Sequence, residues 1–594
     1  MTRRTATRVL FALAAVGAAL TIVLAVIGGF STRLAGIRIS ARGALRPLLF
    51  TLLTGSLAVR LLSQAERQRL LERTARAGTT LAPWLAAATA AVTLGIALAH
   101  GTRSAGGADS YGYLSQARLW LAGDLHVHEA VAGAARWPDA EWTFSPLGYR
   151  PAGNQTIVPT YAPGLPLLMA AFTKIGGNCG PFVVTPLCAA FLVGLTYLLG
   201  VRLSGRATGL MAALILAASP TFVFMSLSSM SDIPAAAFWT AALVVACGRP
   251  TILAAGLAGT ASGIAITIRP NLAPLAIFPA MLLVLAAPQH RVRRAASFAA
   301  GCVPFVLFVA GVNRSLYGSA MRSGYGDLES LFKPAYAGAN LSRFLRWLWQ
   351  TQGPLVFIGV LAPIVWWRRR QAVDGQTRAP TAARLVLLLY VGGVFGCYLL
   401  YTPFDAWWFL RFILPAFPAL FALAADAVWV GSQPFRARFR VVVPLVFTLV
   451  CVDWGVRFCR TQSVLEFGDA EQKYADVGRF IASELPPNAA VITLLHSGSV
   501  RYYSGRTTLR YEWLDPQGLD RAVTYLKSNG LETYAVLETS ELAEFREKFK
   551  GQLAAAALDR PALATHARGV YVYAIDPARV TDVPRAIPRT SGCE

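Results

Sequence analysis

Charge is what this sequence has least of. Only 14% of its 594 residues are Asp, Glu, Lys or Arg, against roughly a quarter in soluble domains. A string of soluble domains is excluded on that count. Lysine is nearly absent, with 6 of the 55 basic residues, and the 49 arginines fit a GC-rich bacterial genome. Eight cysteines are thinly spread, mostly in apolar blocks (Cys188, Cys247, Cys302, Cys397, Cys451), with no C-x-x-C or Cys/His zinc spacing. That excludes a disulfide-dense secreted module and a zinc-finger framework. Cys459 and Cys593 both fall outside the cytoplasm in the topology below and can pair with each other or remain independent thiols. No internal repeat and no low-complexity run occurs.

Hydrophobicity fills the space that charge leaves. Apolar residues make up 55% of the chain, mean hydropathy is +0.48, and the apolar residues come in long blocks. The composition is that of an integral membrane protein. A bilayer span takes about 20 mostly apolar residues. Candidate spans run near 9–29, 43–62, 81–100, 180–201, 208–225, 233–248, 251–268, 272–288, 296–316, 351–367, 384–401, 410–430 and 441–457, about thirteen helices in all. The first follows Met-Thr-Arg-Arg but is too long, and lacks the cleavage site, for a signal peptide; it reads as an uncleaved anchor.

The basic excess belongs to the membrane part. From Phe458 to Glu594 there are 16 basic and 17 acidic residues, leaving 39 basic and 14 acidic before them. A nucleic-acid role predicts a basic soluble domain, and this one is neutral. Arg202/Arg206, Arg249, Arg291/Arg293/Arg294, Arg368/Arg369/Arg370 with Arg378 and Arg384, and Arg436/Arg438/Arg440 mark alternate loops, as the positive-inside rule requires of cytoplasmic ones. The opposite, outer face then receives loops 101–179 and 317–350, the turns at 229–232 and 402–409, and everything after residue 457. Leu165–Ile175 is too short to span and reads as re-entrant or interfacial. The tail alternates patterns: helical at 470–484, 517–529 and 540–550, strand-like at 490–495, 532–537 and 570–575. The expected organisation is a two-span extension (1–80), a transmembrane core (81–457) and an extracytoplasmic α/β domain (458–594).

Carboxylates are scarce enough to sort one by one. Glu66, Glu72 and Asp374 fall in expected cytoplasmic loops, and Asp426 and Asp453 within or at the ends of spans. Asp109, Asp124, Glu129, Asp139, Glu141, Asp232, Asp327, Glu329 and Asp405 remain outside. Asp109, Asp232 and Asp405 sit where a span has just emerged or is about to enter, a depth at which a charge needs a partner. Asp109 and Asp232 each precede a helix, so helix capping is the competing reading for both. Arg269 lies between two apolar spans on the outer side, against the positive-inside bias, and calls for an anion or for snorkelling to headgroups. Arg411 follows the aromatic turn Phe404–Leu410; it either pairs locally with Asp405 or grips a phosphate. Tyr161-Ala-Pro-Gly can line a site or simply turn. His126-Val-His-Glu129 lacks a third metal ligand at fixed spacing, and His496, near Tyr502 and Tyr503, either faces a sugar or closes a local turn.

Taken in order, these residues resemble a family. A span followed by Asp109-Ser-Tyr111-x-Tyr, Arg118 and Gly123, then Tyr161-Ala-Pro-Gly-Leu-Pro, is similar to the first outer loop of the C-type membrane glycosyltransferases. Ser231-Asp232-Ile-Pro, Ile268-Arg269-Pro-Asn, Tyr317-Gly318 with Gly324-Tyr325-Gly326, and Arg411-Phe-Ile-Leu-Pro extend the likeness over residues 81–457. The branch that fits is the one with protein O-mannosyltransferases and the aminoarabinose lipid A transferase. A departure is Ser110, where that branch often has a second acid beside the first, which weakens a metal-assisted variant. The resemblance implies a polytopic helical membrane fold with a trailing outer α/β domain, and an inverting sugar transfer from a polyprenyl-phosphate-linked donor. The acceptor would be a cell-envelope glycan, lipid or protein at the outer face of a bacterial inner membrane, with a divalent metal possible. In that reading Asp109 is the base, Arg269 and Arg411 bind the donor phosphate, and Tyr111, Tyr161, Asp232, Tyr325, Asp405 and His496 contact substrate. The alternative is a transporter or flippase for a lipid-linked sugar; the nearly charge-free spans and missing repeat favour surface chemistry over a midplane path.

Overall fold

The computed structural model describes residues 3–27, 30–34, 37–41, 45–286, 289–326, 328–369, 381–575, 583–590 and 592–593. Asp327, Arg370, Asp374 and Arg378 lie outside the described residues. Among the described residues seven helices are long and apolar enough to cross a membrane, or nine if each of two bent pairs is one span. Further expected spans correspond to shorter apolar helices. The run near 233–248 yields Asp232–Ala246 with 15 residues and the next yields Ile252–Ile268 with 17, which reach about 25 Å against a hydrocarbon core of about 30 Å. The run near 272–288 is a tight turn, Pro270–Ala276, before the nine-residue helix Ile277–Leu285.

Proline sets the two sharp bends. Helix Arg206–Ala217 meets Pro220–Ser226 at 65°, and Pro334–Gln352 meets Pro354–Arg368 at 112°. A proline at each break removes the N–H that would continue the helix. The expected re-entrant piece is a 13-residue helix, Gly164–Gly176, that passes through the turn Gly177–Val183 into Val184–Ser204. At the other end, Gln64–His100 starts on a capping box between Ser63 and Glu66 and runs 37 residues, ending in the third apolar span.

Helix Phe417–Ser432 is the axis of the bundle, with Phe417, Phe421 and Leu423 fully buried among Trp239, Tyr390 and Leu216. Its one charge, Asp426, is fully buried and takes both Nε (2.7 Å) and Nη2 (2.8 Å) of Arg384. Arg384 also donates to the Leu203 carbonyl at 2.9 Å and lies 4.0 Å over the Trp366 ring, so four helices are tied at one point.

The tail builds a six-stranded mixed sheet in the spatial order 585–586, 564–566, 570–574, 532–538, 489–493, 507–510. Strand Ala489–Thr493 pairs in parallel with both neighbours and is buried along its whole length, which is why it reads as a continuous apolar run. The three long helical and three strand patterns expected from sequence are all present, at Phe467–Glu484, Leu519–Ser528, Thr539–Lys548, Ala489–Thr493, Glu532–Glu538 and Val570–Ala574. Helix Ser497–Ser504 and the strands Thr507–Arg510, Ala564–His566 and Arg585–Ala586 are too short to stand out by periodicity.

This sheet unit clamps the loop that follows His100. Trp137, Ala140 and Phe144 share one core with Leu509, Tyr511 and Leu537. Arg501 pairs with Glu129 and donates to the Phe144 carbonyl at 2.7 Å. Tyr503 accepts from the Ala105 N–H at 2.8 Å, and Ser104 donates to the Glu471 carbonyl at 2.8 Å. Cys593 is bonded to Cys179, not to Cys459. Cys459 is a free thiol packed with Ala97, Leu227 and Val464, turned into a local apolar cluster and away from the tail.

Two outcomes follow from this packing. Asp426→Leu strands a buried guanidinium and is expected to cost about 3–5 kcal/mol, while adding Arg384→Met recovers most of it; thermal unfolding of the detergent-solubilised protein measures both, and a double variant no better than the single one contradicts the account. Glu471, beside Gly106 in helix Phe467–Glu484, has its carboxyl raised to about 7 by burial and by the charge of Glu538, with Lys473 opposing. The unfolded chain ionises this group first, so its contribution to stability is full below about pH 4.5 and is lost as pH rises through about 7. Glu471→Gln should flatten the melting temperature between pH 5 and about 8 relative to wild type.

Candidate functional site

Four segments far apart in sequence meet at the end of the bundle under the sheet unit. Gly107, at a φ of +55°, turns the chain so that helix Asp109–Ala122 starts with its acid at the first position. The residue before it, Ala108, makes no side-chain cap, and the Asp109 carboxylate points away from its own helix. Oδ1 accepts the Tyr161 hydroxyl at 2.7 Å and Oδ2 accepts Nη2 of Arg411 at 2.9 Å. Tyr161 can lie this close because residue 112 is glycine: a Cβ there would stand 2.1 Å from the Tyr161 ring.

The second pair has the same composition and is deeper. Asp232 opens helix Asp232–Ala246 and is fully buried; Oδ1 takes Nη2 of Arg269 at 2.7 Å. Arg269 ends helix Ile252–Ile268 and donates Nε to the Ser231 hydroxyl at 3.0 Å and Nη1 to the Tyr398 hydroxyl at 3.1 Å. Neither helix capping for the two acids nor snorkelling for Arg269 describes these side chains. The pairs communicate. Arg411 Nη1 is 3.9 Å from Asp232 Oδ2, and the Tyr113 hydroxyl donates to Ser231 at 2.9 Å while its ring packs 4.6 Å from that of Tyr161. Phe409 and Phe412 flank the Arg411 guanidinium at 5.6 and 5.3 Å.

Electrostatics keep these groups charged or protonated in defined ways. Burial works to raise the Asp109 carboxyl, but the Arg411 charge and the Tyr161 O–H together outweigh it and hold the group below the usual carboxylate range. Burial and the neighbouring Asp109 charge push the Tyr161 hydroxyl well up, so it stays a donor. Among the described residues two buried polar atoms here have no hydrogen-bond partner: Nε of Arg411 and Oδ2 of Asp232. Such atoms are uncommon in folded proteins, and beside Asp109 they leave one donor and one acceptor open to a further partner.

The expected site residues divide. Asp109, Tyr161, Asp232, Arg269 and Arg411 converge, and Tyr325 sets its ring edge-on to Tyr161 at 5.8 Å, half exposed above them. Three do not join them. Tyr111 is buried in the contact with the sheet unit, its ring against Gly498 and Tyr502. Asp405 is 73% exposed and faces Arg346 at 3.4 Å and Arg343 at 3.6 Å, not Arg411; the turn that carries it points outward. His496 is fully buried in the sheet unit, 3.2 Å from Glu538, with its ring tilted 39° to that of Tyr474 at 4.6 Å. Burial holds its imidazole below the ordinary range, with the Glu538 contact opposing. His126 bonds Asp124 at 3.1 Å and Glu129 is taken by Arg501. Tyr113, Ser231, Met230 and Tyr398 were not among the expected site residues, although Tyr113 and Ser231 stand in the motifs. Tyr113 stands four residues after Asp109, the one signal that placed it on the same helix face.

A divalent cation does not fit the donor set at Asp109. Both of its oxygens already accept N–H or O–H groups and two guanidinium groups are the nearest charges. Among the described residues no cluster of three or more His, Cys, Asp or Glu side chains is placed to hold a metal ion. The arrangement suits an anion with an adjacent proton acceptor.

The chain is similar to known proteins in part of its sequence and in its fold. The family model for dolichyl-phosphate-mannose-protein mannosyltransferases matches residues 160–312, the stretch that carries Tyr161, Asp232 and Arg269. No curated protein matches the chain by sequence. Among solved structures, ArnT from Cupriavidus metallidurans bound to undecaprenyl phosphate superposes with a TM-score of 0.53 at 14% identity, covering 83% of this chain and 98% of that one. Its apo form gives 0.52 at the same identity and coverage. An oligosaccharyltransferase from Archaeoglobus fulgidus gives 0.49 at 13% identity, over 84% of this chain and 74% of that one. The chain is a multi-pass membrane protein with the fold of the C-type membrane glycosyltransferase superfamily, resembling the branch of the protein O-mannosyltransferases and ArnT.

Proposed function

We propose that this chain is an inverting glycosyltransferase that moves a sugar from a polyprenyl-phosphate carrier to an acceptor hydroxyl of a cell-envelope glycan, lipid or protein. The observation that carries the reading is the meeting of one ionised carboxylate, Asp109, with two guanidinium groups, Arg269 and Arg411, beside unpartnered polar atoms. In the reaction the acceptor hydroxyl gives its proton to Asp109, its oxygen bonds the sugar's anomeric carbon, and the carbon–oxygen bond to phosphate breaks with its electron pair staying on phosphate. Attack from the face opposite the leaving group inverts the centre and needs a single base. Arg411, with its open Nε, and Arg269 stabilise the charge that grows on the phosphate, an effect enlarged by the aromatic, low-dielectric wall. Asp232 acts as the counter-ion that keeps Arg269 in place, and Tyr325 closes the sugar side. The loop that carries Tyr325 also lines a cleft of about 660 Å³ with Tyr317, Met321 and Glu329. That ArnT is seen with undecaprenyl phosphate supports a lipid-phosphate donor here.

The positive-inside pattern supports placing this site and residues 458–594 outside the cytoplasm, in a bacterial inner membrane. Residues 81–457 form the catalytic core and residues 1–80 an extension to it.

Asp109→Asn is expected to lower the turnover of a polyprenyl-phosphate-sugar donor by about 10²–10⁴-fold, with a smaller loss of melting temperature than Asp426→Leu, because the Asp109–Arg411 pair is partly exposed and Asp232 lies 3.9 Å from Arg411. Mass spectrometry of envelope glycans from cells carrying only that variant should show the loss of one sugar. Full transfer by Asp109→Asn would sink the base assignment. Arg269→Gln and Arg411→Gln should each weaken both donor binding and turnover, by roughly tenfold or more, as expected for charge-assisted contacts.

A further inference from the structure

Two buried Arg–Asp pairs in this chain have opposite character. Arg384 meets Asp426 through two nitrogens, with a backbone carbonyl and the face of Trp366 completing its surroundings. That pair is saturated. Arg411 is not: Nη2 reaches Asp109, Nη1 points to the thioether sulfur of Met230, a weak acceptor, and Nε has no partner among the described residues. Arg411 thus spends its one strong contact on the carboxylate that, in the reading proposed above, has to be free to take a proton.

We infer that the Asp109–Arg411 pair is a latch: in the resting protein Arg411 occupies the base, and the donor phosphate, by taking over Arg411, releases Asp109 to act on the acceptor. The inference rests on the proposed transfer reaction. Tyr161 gives the latch its precision. Its hydroxyl holds Asp109 through the other oxygen, Oδ1, so loss of Arg411 from Oδ2 leaves the carboxylate aimed with one oxygen bare. Tyr161 is therefore a positioning residue rather than a substrate contact. Asp232, 3.9 Å from Arg411 Nη1, stays behind to keep Arg411 from following the phosphate outward. The consequence is order: the acceptor is activated only after the lipid donor is seated, so water or a stray hydroxyl meets no free base in the empty site.

Linkage makes the inference quantitative. A phosphate and a carboxylate competing for one guanidinium oppose each other by a single reciprocal factor. Removing the carboxylate should tighten phosphate binding by about the factor by which bound phosphate raises proton affinity at Asp109, so a tenfold tightening corresponds to about one pH unit. The test uses the full-length protein in lipid nanodiscs and a sugar-free polyprenyl phosphate as the probe. Asp109→Asn should bind the probe roughly tenfold tighter than wild type, and Arg411→Gln should bind it at least about tenfold more weakly. In steady-state assays the acid limb of kcat should lie about one pH unit above that of kcat/KM for the donor, and Tyr161→Phe should lower kcat with the probe's Kd unchanged. Equal or weaker probe binding by Asp109→Asn, or coincident acid limbs, overturns the latch while leaving the transfer reaction standing. Sugar transfer by Asp109→Asn at the wild-type rate overturns the base itself, and the latch with it.

Discussion

Everything at this site depends on the balance of four charges that have little water. Two carboxylates and two guanidinium groups sit where the helices end, and each neutralises a neighbour that would be prohibitive to bury alone. Asp232 with Arg269 forms the inner pair, with each guanidinium nitrogen engaged once, by Ser231, Tyr398 and Asp232. Asp109 with Arg411 forms the outer pair, with donors to spare. The quartet sums to zero and thus tolerates the bundle around it; an arriving anion is the one kind of ligand that makes use of the unspent donors. A saturated site would be a structural tie, as Arg384 with Asp426 is. An unsaturated one is a site for chemistry.

Holding four groups in register requires the scaffold to be stiff where they attach. Each charged residue of the quartet stands at or next to a helix terminus: Asp109 and Asp232 at the start of helices, Arg269 just after one, Arg411 in the tight turn Trp407–Ala416 that leads into the axial helix. Asn340 supports the Tyr398 end by donating to the carbonyls of Leu399 at 3.0 Å and Tyr401 at 2.6 Å, which caps the helix that carries Tyr398. The sheet unit holds the Asp109 side from above through Tyr503, Arg501 and Ser497. A trailing sheet of about the size of an ordinary small domain is here part of the wall that keeps the first loop in place.

The membrane class is legible in this sequence, while the placement of particular side chains is less so, for physical reasons. Two of the apolar runs form helices of 15 and 17 residues, and the run after Arg269 and Pro270 opens in a tight turn. Asp405 sits seven-tenths exposed because its turn faces the arginines of the helix Ala337–Gln352. Tyr111 and Tyr113 belong to one motif, but a helix turns two residues through about 200°, so one ring faces the sheet unit and the other faces the acids. His496 has the look of a ligand-facing histidine in sequence, since burial by a strand 42 residues away has no local mark.

The sequence alone determined the membrane class, the alternation of the tail between helix and strand, and a short list of carboxylates and arginines at the ends of apolar runs, because hydropathy and the cost of a charge near lipid are local properties. Only tertiary structure decided which acid meets which arginine. Asp109 and Arg411 are 302 residues apart and Asp232 and Arg269 are 37 apart, and the choice between those pairs and the local Asp405–Arg411 pair rests on how helix ends stack, at distances of 3 to 4 Å where Coulomb energy changes steeply. The same holds for the bond between Cys179 and Cys593: thiol spacing carries no record of which surfaces the fold brings together.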